Sequence, residues 1–338
     1  MKKTIIFRAD GNSSTGLGHL YRLFSLVEIV RTNYDFVFVT KTSSIQQVIP
    51  SHYKKKTIVE TISIDKEPFW FTKNFSPEHH IIIADGYQFD SSYQKKIKKE
   101  GFKLIYVDDL ATEHMFADVV INHSPFLNEK HYSKESYTRL ALGTQYALLR
   151  PSFIKEAKLL PRKINNIDSV FVCFGGSDPY NLTFKAVSAL LEIDNFKKIS
   201  IILGAAYKFQ DIFELKQQNA SRIEIHQSLS ENDLLDTMKK CNLAIVPAST
   251  ILFEICCVKI PTISGFYVDN QEFIYKGFLD KRAIFEAGNM AKFESANFKS
   301  IVKEIISKNS FEIYLNKQKQ LFDDKITERH LNLISELC

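Results

Sequence analysis

Thr4-Ile5-Ile6-Phe7-Arg8-Ala9-Asp10-Gly11-Asn12-Ser13-Ser14-Thr15-Gly16-Leu17-Gly18-His19 runs from an apolar strand through a small-residue turn to a histidine. The strand reading covers Thr4–Arg8. Beyond the turn, apolar residues recur at Leu20, Leu23, Phe24, Val27 and Val30, which is helical spacing. Strand, glycine-containing turn and helix together expose backbone N–H groups at a helix N-terminus, where an anionic group settles. Gly16 and Gly18 flank that point and are candidate substrate-binding positions. His19 falls in the first helical turn, where an imidazole can exchange a proton near neutral pH. The competing reading makes His19 a residue that packs beside the turn and nothing more.

The same grammar continues outward from this stretch. Strands are expected at Thr4–Arg8, Asp35–Thr40, Ile81–Ala84, Lys103–Val107 and Val119–Asn122, with helices at Leu20–Arg31 and Ser91–Glu100. Alternation of this kind predicts βαβ units around a parallel sheet buried on both faces. His80–Ala84 is a continuous apolar run ending at Asp85-Gly86-Tyr87, and Lys103–Val107 ends at Asp108-Asp109. Polar residues at strand C-termini are where α/β sheets build their sites.

The pattern breaks around Gly143–Leu160, and Lys158–Asn166 reads as a linker. It then restarts, with strands expected at Ser169–Phe174, Lys198–Leu203, Arg222–His226, Leu243–Val246 and Pro261–Ser264. Helices are expected at Tyr180–Ile193, Asn232–Lys240, Thr250–Val258 and Gln271–Phe278, and Phe311–Leu337 reads as one or two amphipathic helices. The fold class is therefore α/β, with two Rossmann-like domains facing a cleft. Their expected spans are 1–155 and 156–338, the second carrying the terminal helices.

Composition narrows the function classes. The 44 basic and 39 acidic residues are mixed along the chain, so the net charge of +5 has no concentrated face for nucleic acid. No run approaches the roughly 20 apolar residues of a membrane span, and no stable membrane association is expected. Met1-Lys2-Lys3 leads straight into the first strand without a secretory signal, which predicts a cytoplasmic protein. Cys173, Cys241, Cys256, Cys257 and Cys338 read as reduced thiols. His79-His80 point to opposite faces of a strand, and no CxxC or HExxH spacing occurs, so no metal site is expected.

A second glycine turn, Phe174-Gly175-Gly176-Ser177-Asp178-Pro179, follows the strand at Ser169. Gly176 allows close backbone approach to a phosphate, Ser177 adds a hydroxyl, and Pro179 suits the first turn of a helix. After Leu243–Val246, Ser249 and Thr250 sit where an N-cap belongs, and Glu254 lies one turn on along the same face. A carboxylate among Ile251, Leu252, Phe253, Ile255 and Cys256 needs a partner if buried, and a ribose with two adjacent hydroxyls is one. The bland readings are a tight βα turn and a solvated glutamate. The dinucleotide fingerprint fits poorly, because Tyr21 stands where its third glycine belongs, and no GxxxxGK[ST] occurs. No cofactor is expected. Asp108-Asp109 reads as a turn-capping pair rather than as a metal site.

The strand ending in R-A-D-G followed by G-x-G-H resembles the hydrolases of the pseudaminic acid pathway. These UDP-2,4-diacetamido-2,4,6-trideoxy-β-L-altropyranose hydrolases themselves resemble MurG-type glycosyltransferases in fold. Asp85-Gly86-Tyr87 resembles the family's D-x-Y segment and Asp108-Asp109 its D-D strand end. Gly143–Arg150 resembles its interdomain G-x-x-Y-A-L-[LI]-R segment. Gly175-Gly176-Ser177-Asp178, Ser249 to Glu254, and Tyr267-Val268-Asp269-Asn270-Gln271 follow in the family's order. The resemblance covers residues 4 to about 275.

The resemblance implies a GT-B-like pair of domains and hydrolysis of a UDP-sugar at its anomeric carbon. It makes His19 the catalytic histidine and Tyr87 the tyrosine near the reacting water. Asn270 and Gln271 become polar substrate contacts, and Gly176, Ser177, Ser249 and Glu254 the UDP side. The rival reading is a MurG-type UDP-sugar glycosyltransferase, and a non-catalytic UDP-sugar sensor is a third. A transferase acting on a lipid-linked acceptor would favour an apolar, basic patch, for which Ile29–Val39 and Pro68-Phe69-Trp70-Phe71 are weak candidates.

Overall fold

In the computed structural model, which describes residues 3–12, 16–308 and 311–338, β1 (Thr4–Ala9) lies inside a parallel sheet with a strand on either side. Ser13, Ser14 and Thr15 of the glycine-containing turn lie outside the described residues, as do Met1 and Lys2. The chain continues through α1 (Gly18–Val30), β2 (Phe36–Lys41), β3 (Lys55–Ile58), α2 (Glu67–Asn74) and β4 (His80–Asp85). It then forms α3 (Ser91–Lys99), β5 (Lys103–Val107), β6 (His114–Met115), β7 (Val119–Asn122), β8 (Ser133–Lys134) and β9 (Arg139–Leu142).

Among the described residues the first sheet has seven parallel strands in the order β3-β2-β1-β4-β5-β7-β9, and β6 pairs with β8 apart from it. The chain steps from β1 outward to β2 and β3, then returns to the other side of β1 as β4. Connections diverge at that reversal, and ligands of such sheets bind beyond the strand C-termini there. The register sets Ala9 opposite Asp85, so Asp85 closes β4 directly beside the end of β1.

Ile5, Ile6, Phe7, Ile81, Ile82 and Ile83 are fully buried, as both-face burial of a central parallel pair requires. Each contributes roughly 1.5–3 kcal/mol of apolar burial. α1 buries Leu20, Leu23, Phe24, Val27 and Val30, the positions its spacing predicts. β3 and α2 were not legible in the sequence. β3 is a lysine-rich edge strand in which only Ile58 is buried, and α2 is a short helix opened by Glu67-Pro68.

The second half begins with α4 (Pro151–Ala157), inside the stretch expected to be irregular. It continues through β10 (Ser169–Val172), α5 (Leu182–Leu191), β11 (Lys198–Leu203), α6 (Asp211–Gln218), β12 (Ile223–Gln227), α7 (Glu231–Lys239) and β13 (Leu243–Pro247). Then follow α8 (Thr250–Val258), β14 (Thr262–Phe266), α9 (Glu272–Asp280), β15 (Phe285–Asn289), α10 (Ser295–Lys308) and α11 (Glu312–Leu321). Among the described residues its sheet is six-stranded, ordered β12-β11-β10-β13-β14-β15. The reversal falls between β10 and β13, so the loops after these two strands are neighbours at the C-terminal edge.

The chain divides into one unit of residues 1–151 and 325–338 and a second of 152–324. The expected boundary at 155/156 moves to 151/152, because Lys259 Nζ donates to the Glu156 carbonyl at 2.5 Å and ties α4 to the second unit. The terminal helices, counted with the second domain but open in the sequence to docking on either, divide between the units. α12 (Ile326–Ser335) belongs to the first unit, where it packs on α1. There His330 is buried and donates from Nε2 to the Ala147 carbonyl at 3.3 Å, Arg329 donates to the Gln145 carbonyl at 3.2 Å, and Glu336 pairs with Arg139. Gly143–Arg150, expected as an interdomain segment, thus forms part of the seat for α12. Among the described residues no helix is long and apolar enough to cross a membrane.

Candidate active site

At the reversal of the first sheet, β4 delivers Asp85 and α1 delivers His19. His19 lies on the buried side of the first helical turn, 8% exposed. Its Nδ1 is 2.7 Å from Asp85 Oδ1. A carboxylate only accepts, so the proton of this bond sits on Nδ1 and the lone pair of the neutral ring is on Nε2. Arg22 lies one turn along the same helix face. It donates from Nε to Asp85 Oδ2 at 2.9 Å and from Nη2 to Asp85 Oδ1 at 2.6 Å. Its Nη1 pairs with Asp109, the residue that follows β5 by two.

Tyr87, two residues beyond β4, donates its phenol to Asp109 Oδ2 at 2.9 Å. Its ring meets the His19 ring edge-on, with centroids 4.7 Å apart and planes at 83°. His19 and Tyr87, both singled out in the sequence, are therefore brought together. Tyr87 is 45% exposed, so the pair faces solvent from the tyrosine side.

The electrostatics follow from enclosing two aspartates around one guanidinium. Burial alone would raise the Asp109 carboxyl, but Arg22 overcomes it and holds Asp109 below the usual carboxylate range. Burial likewise disfavours the Arg22 charge, and Asp109 and Asp85 hold it well above its ordinary value. His123, just past β7, is pushed down to about 4 by burial and by Arg22, and is neutral. Asp108 behaves differently. Burial raises it, and it accepts from Tyr132 Oη at 2.7 Å, Asn122 Nδ2 at 3.1 Å and Ala111 N at 3.0 Å. The turn-holding expected of the Asp108-Asp109 pair thus belongs to Asp108, while Asp109 joins the His19 cluster.

The R-A-D-G signature supports this corner from below. Arg8, fully buried, donates to Glu67 from Nε at 3.0 Å and Nη2 at 2.9 Å and pairs with Asp10 at 2.6 Å. Burial opposes its charge, and the two carboxylates more than compensate. Asp10 accepts from the backbone N–H of Lys41 at 2.7 Å and from Thr40 Oγ1 at 3.0 Å, joining the ends of β1 and β2. Gly16 follows with φ +77°, and Gly18 is the exposed first residue of α1.

In the second unit, Gly175 adopts φ +80°, a conformation glycine takes without strain. Tyr267 Oη donates to the Phe174 carbonyl at 2.8 Å and holds the root of this turn. Gly204, after β11, is required by close approach, because a Cβ there would fall on the carbonyls of Gly175 and Gly176. Gly176 and Ser177 are half-buried. The expectation for Pro179 is corrected: α5 starts at Leu182, and Pro179 lies in the turn before it. Asp178 caps that helix instead, accepting from Leu182 N at 2.8 Å and Thr183 N at 2.7 Å.

Ser249 occupies the N-cap of α8, yet its side chain makes no capping bond. Thr250 opens the helix, and Glu254 follows on the same face, 3% exposed. Gln271 is buried and its Oε1 accepts from the Tyr267 backbone N–H at 3.1 Å, while Asn270 beside it is half-buried. Sequence reading missed Arg22 as a site-building residue and Glu67 as the partner of the buried Arg8. Their signal was a single cation on the apolar face of α1 and an acid at a helix start beneath a charged strand residue. Among the described residues no cluster of acidic, histidine or cysteine side chains is arranged to hold a metal ion.

No family model matches the chain. It is 29% identical over 292 residues to an uncharacterized protein, MJ1062, of Methanocaldococcus jannaschii, covering 83% of this chain but only 59% of that longer relative. It is 24% identical to the spore coat polysaccharide biosynthesis protein SpsG of Bacillus subtilis, covering 83% of this chain and 82% of SpsG. It is 26% identical to the UDP-2,4-diacetamido-2,4,6-trideoxy-β-L-altropyranose hydrolase of Campylobacter jejuni, covering 79% of this chain and 93% of the hydrolase. In structure it is similar to MurG of Acinetobacter baumannii, with TM-score 0.65 at 11% identity over 99% of this chain and 100% of MurG. The UDP co-structure of S. aureus MnaA matches with TM-score 0.65 at 13% identity over 99% of this chain and 98% of MnaA. The two parallel sheets are those of the GT-B fold, and in sequence the chain is similar to SpsG and to this diacetamido-sugar hydrolase.

Proposed function

We propose that this protein hydrolyses a UDP-linked diacetamido-trideoxy sugar at its anomeric carbon, releasing UDP and the free sugar. The observation that carries the reading is the His19–Asp85 bond with Tyr87 against the imidazole. With Nδ1 committed to Asp85, Nε2 of His19 takes a proton from water as the water oxygen bonds to the anomeric carbon. The bond from that carbon to the diphosphate oxygen breaks, and its electron pair leaves with UDP. Tyr87, whose hydroxyl hydrogen is given to Asp109, keeps phenol lone pairs with which to orient the water.

Diphosphate is a good leaving group and needs charge stabilisation more than protonation. That task falls to the second unit. Gly176 and Ser177 offer the turn after β10, Ser249 and Thr250 the N-terminus of α8, and Glu254 the ribose contact. Asn270 and Gln271 add polar contacts to the sugar, and Gly16 and Gly18 let substrate approach the start of α1. The relationship to the Campylobacter hydrolase supports the choice of sugar, and the UDP complex of MnaA, a fold relative, supports the nucleotide.

The test is an NMR time course of purified protein with UDP-2,4-diacetamido-2,4,6-trideoxy-β-L-altropyranose and no acceptor. The reading predicts stoichiometric UDP and free sugar. Binding without release in the absence of an acceptor would favour MurG-type glycosyl transfer, with an acceptor hydroxyl in place of water.

A further inference from the structure

Arg22 stands between the two carboxylates that hold the reactive pair. Its Nε and Nη2 grip Asp85, which holds His19, and its Nη1 pairs with Asp109, which holds Tyr87. Nη2 also lies 2.9 Å from His19 Nδ1. The guanidinium is 6% exposed and Asp85 is fully buried, so water screens these charges little. The planar fork is what allows one side chain to fix two carboxylates, and an ammonium has no such geometry.

We propose that Arg22 is a positioning residue of the reaction: it fixes the two carboxylates that hold His19 and Tyr87 and offsets their charge, which would otherwise favour the imidazolium over the base. This rests on the hydrolytic reading above, in which His19 Nε2 accepts the proton of water. Three groups face the imidazole besides Arg22 on its own helix: Asp85 and Tyr87 from β4 and the turn after it, and Asp109 from the end of β5, while neutral His123 from the end of β7 lies beside Arg22 and the two aspartates. With His19 neutral, the cluster of Asp85, Asp109 and Arg22 carries a net charge of about −1. Without Arg22 it would carry about −2 in an enclosed corner, which favours the imidazolium and leaves no base.

The test uses Arg22→Met, Arg22→Lys and the double variant Arg22→Met/Asp109→Asn in the full chain. Two readouts are taken: the pH dependence of the His19 ring proton resonance without substrate, and kcat and KM against pH with the UDP-sugar. In Arg22→Met the imidazole should protonate about one pH unit or more higher than in the wild type. The acid limb of the rate profile should move with it, and kcat at pH 7 should fall by roughly 100-fold or more. Arg22→Lys should return the protonation toward the wild-type position but leave kcat low, because charge is restored and the fork is not. The double variant should also return the protonation toward wild type, since it removes one negative charge while the amide carbonyl replacing the Asp109 carboxylate would still accept from Tyr87.

A merely structural Arg22 would lower stability in all three variants and leave the imidazole profile of the folded fraction in place. That result overturns the proposal. The resonance readout needs no turnover. A wild type that releases no UDP would therefore count against the hydrolytic reading, while the imidazole shift would still decide the charge role of Arg22.

Discussion

Asp85, fully buried at the end of β4, accepts the Nδ1 proton of His19 at 2.7 Å and so leaves the lone pair of the neutral ring on Nε2. In the proposed hydrolysis, removing the ring removes the base. His19→Ala should lower kcat by roughly 10²–10⁴-fold, while UDP affinity stays within about twofold, since the proposed nucleotide contacts lie in the second unit. Steady-state kinetics with a separate UDP titration checks both halves. Near-normal turnover would remove His19 from the mechanism.

Asp85→Asn changes one atom and should cost nearly as much. An amide can present its NH₂ to Nδ1, which favours the tautomer with the proton on Nε2, and it also leaves Arg22 with one carboxylate. The comparable change in Ser-His-Asp enzymes sets a scale of about 10⁴ in kcat. The expected signature is a fall in kcat with KM little changed, together with a shift of the His19 ring nitrogen resonances.

Glu254 tests the nucleotide side separately. If it binds the ribose, Glu254→Ala should weaken UDP binding by roughly 10–100-fold, the worth of a hydrogen bond to a charged group. Isothermal titration with UDP measures it directly. Unchanged affinity would assign Glu254 to the packing of α8.

How much of this was legible depended on where each signal lay. β1, β4 and β5 announced themselves because a central parallel strand is apolar throughout, and α1 did so through its five-residue stripe. β3 and β15 were not legible. β3 is a lysine-rich edge strand, and β15 is Phe285-Glu286-Ala287-Gly288-Asn289, with one strong strand former in five. The seat of α12 was also hidden, since its buried His330 meets backbone carbonyls of a segment some 180 positions earlier in the chain. At the site, His19, Tyr87 and the two aspartates were visible as motif residues. Arg22 was not, because a cation on an apolar helix face acquires meaning only when two carboxylates from different strands arrive beside it.

The buried pair beneath the site should govern stability rather than rate. Glu67→Ala leaves the fully buried Arg8 with Asp10 alone and should cost about 3–5 kcal/mol. Urea unfolding of the first unit's transition measures this, with the residual activity of folded protein expected to persist. A loss under about 1 kcal/mol would mean that Arg8 finds another partner.

Two buried histidines give the pH dependence of stability a definite sign. His123 is held down to about 4 by burial and Arg22, and His330 to about 4 by burial. Unfolded histidines bind protons near pH 6.5, so between about 6.5 and 4 the unfolded chain holds more protons and stability falls as pH is lowered. Each contributes roughly 3 kcal/mol across that window. Asp10 and Asp109, held below the usual range despite burial, lose their contribution only lower, as pH drops below about 4. Thermal melts from pH 8 to 3 should therefore decline in two stages, and His330→Gln should flatten the upper one.

The central claim is that water attacks the anomeric carbon, and ¹⁸O-labelled water tests it most directly. The reaction is run in the labelled solvent without acceptor, and released UDP is read by the ³¹P isotope shift. The account predicts UDP that carries no label on its β-phosphorus, formed together with free sugar. Label on that phosphorus would place the attack at phosphate, and no release of UDP from a bound substrate would mean that water is not the nucleophile.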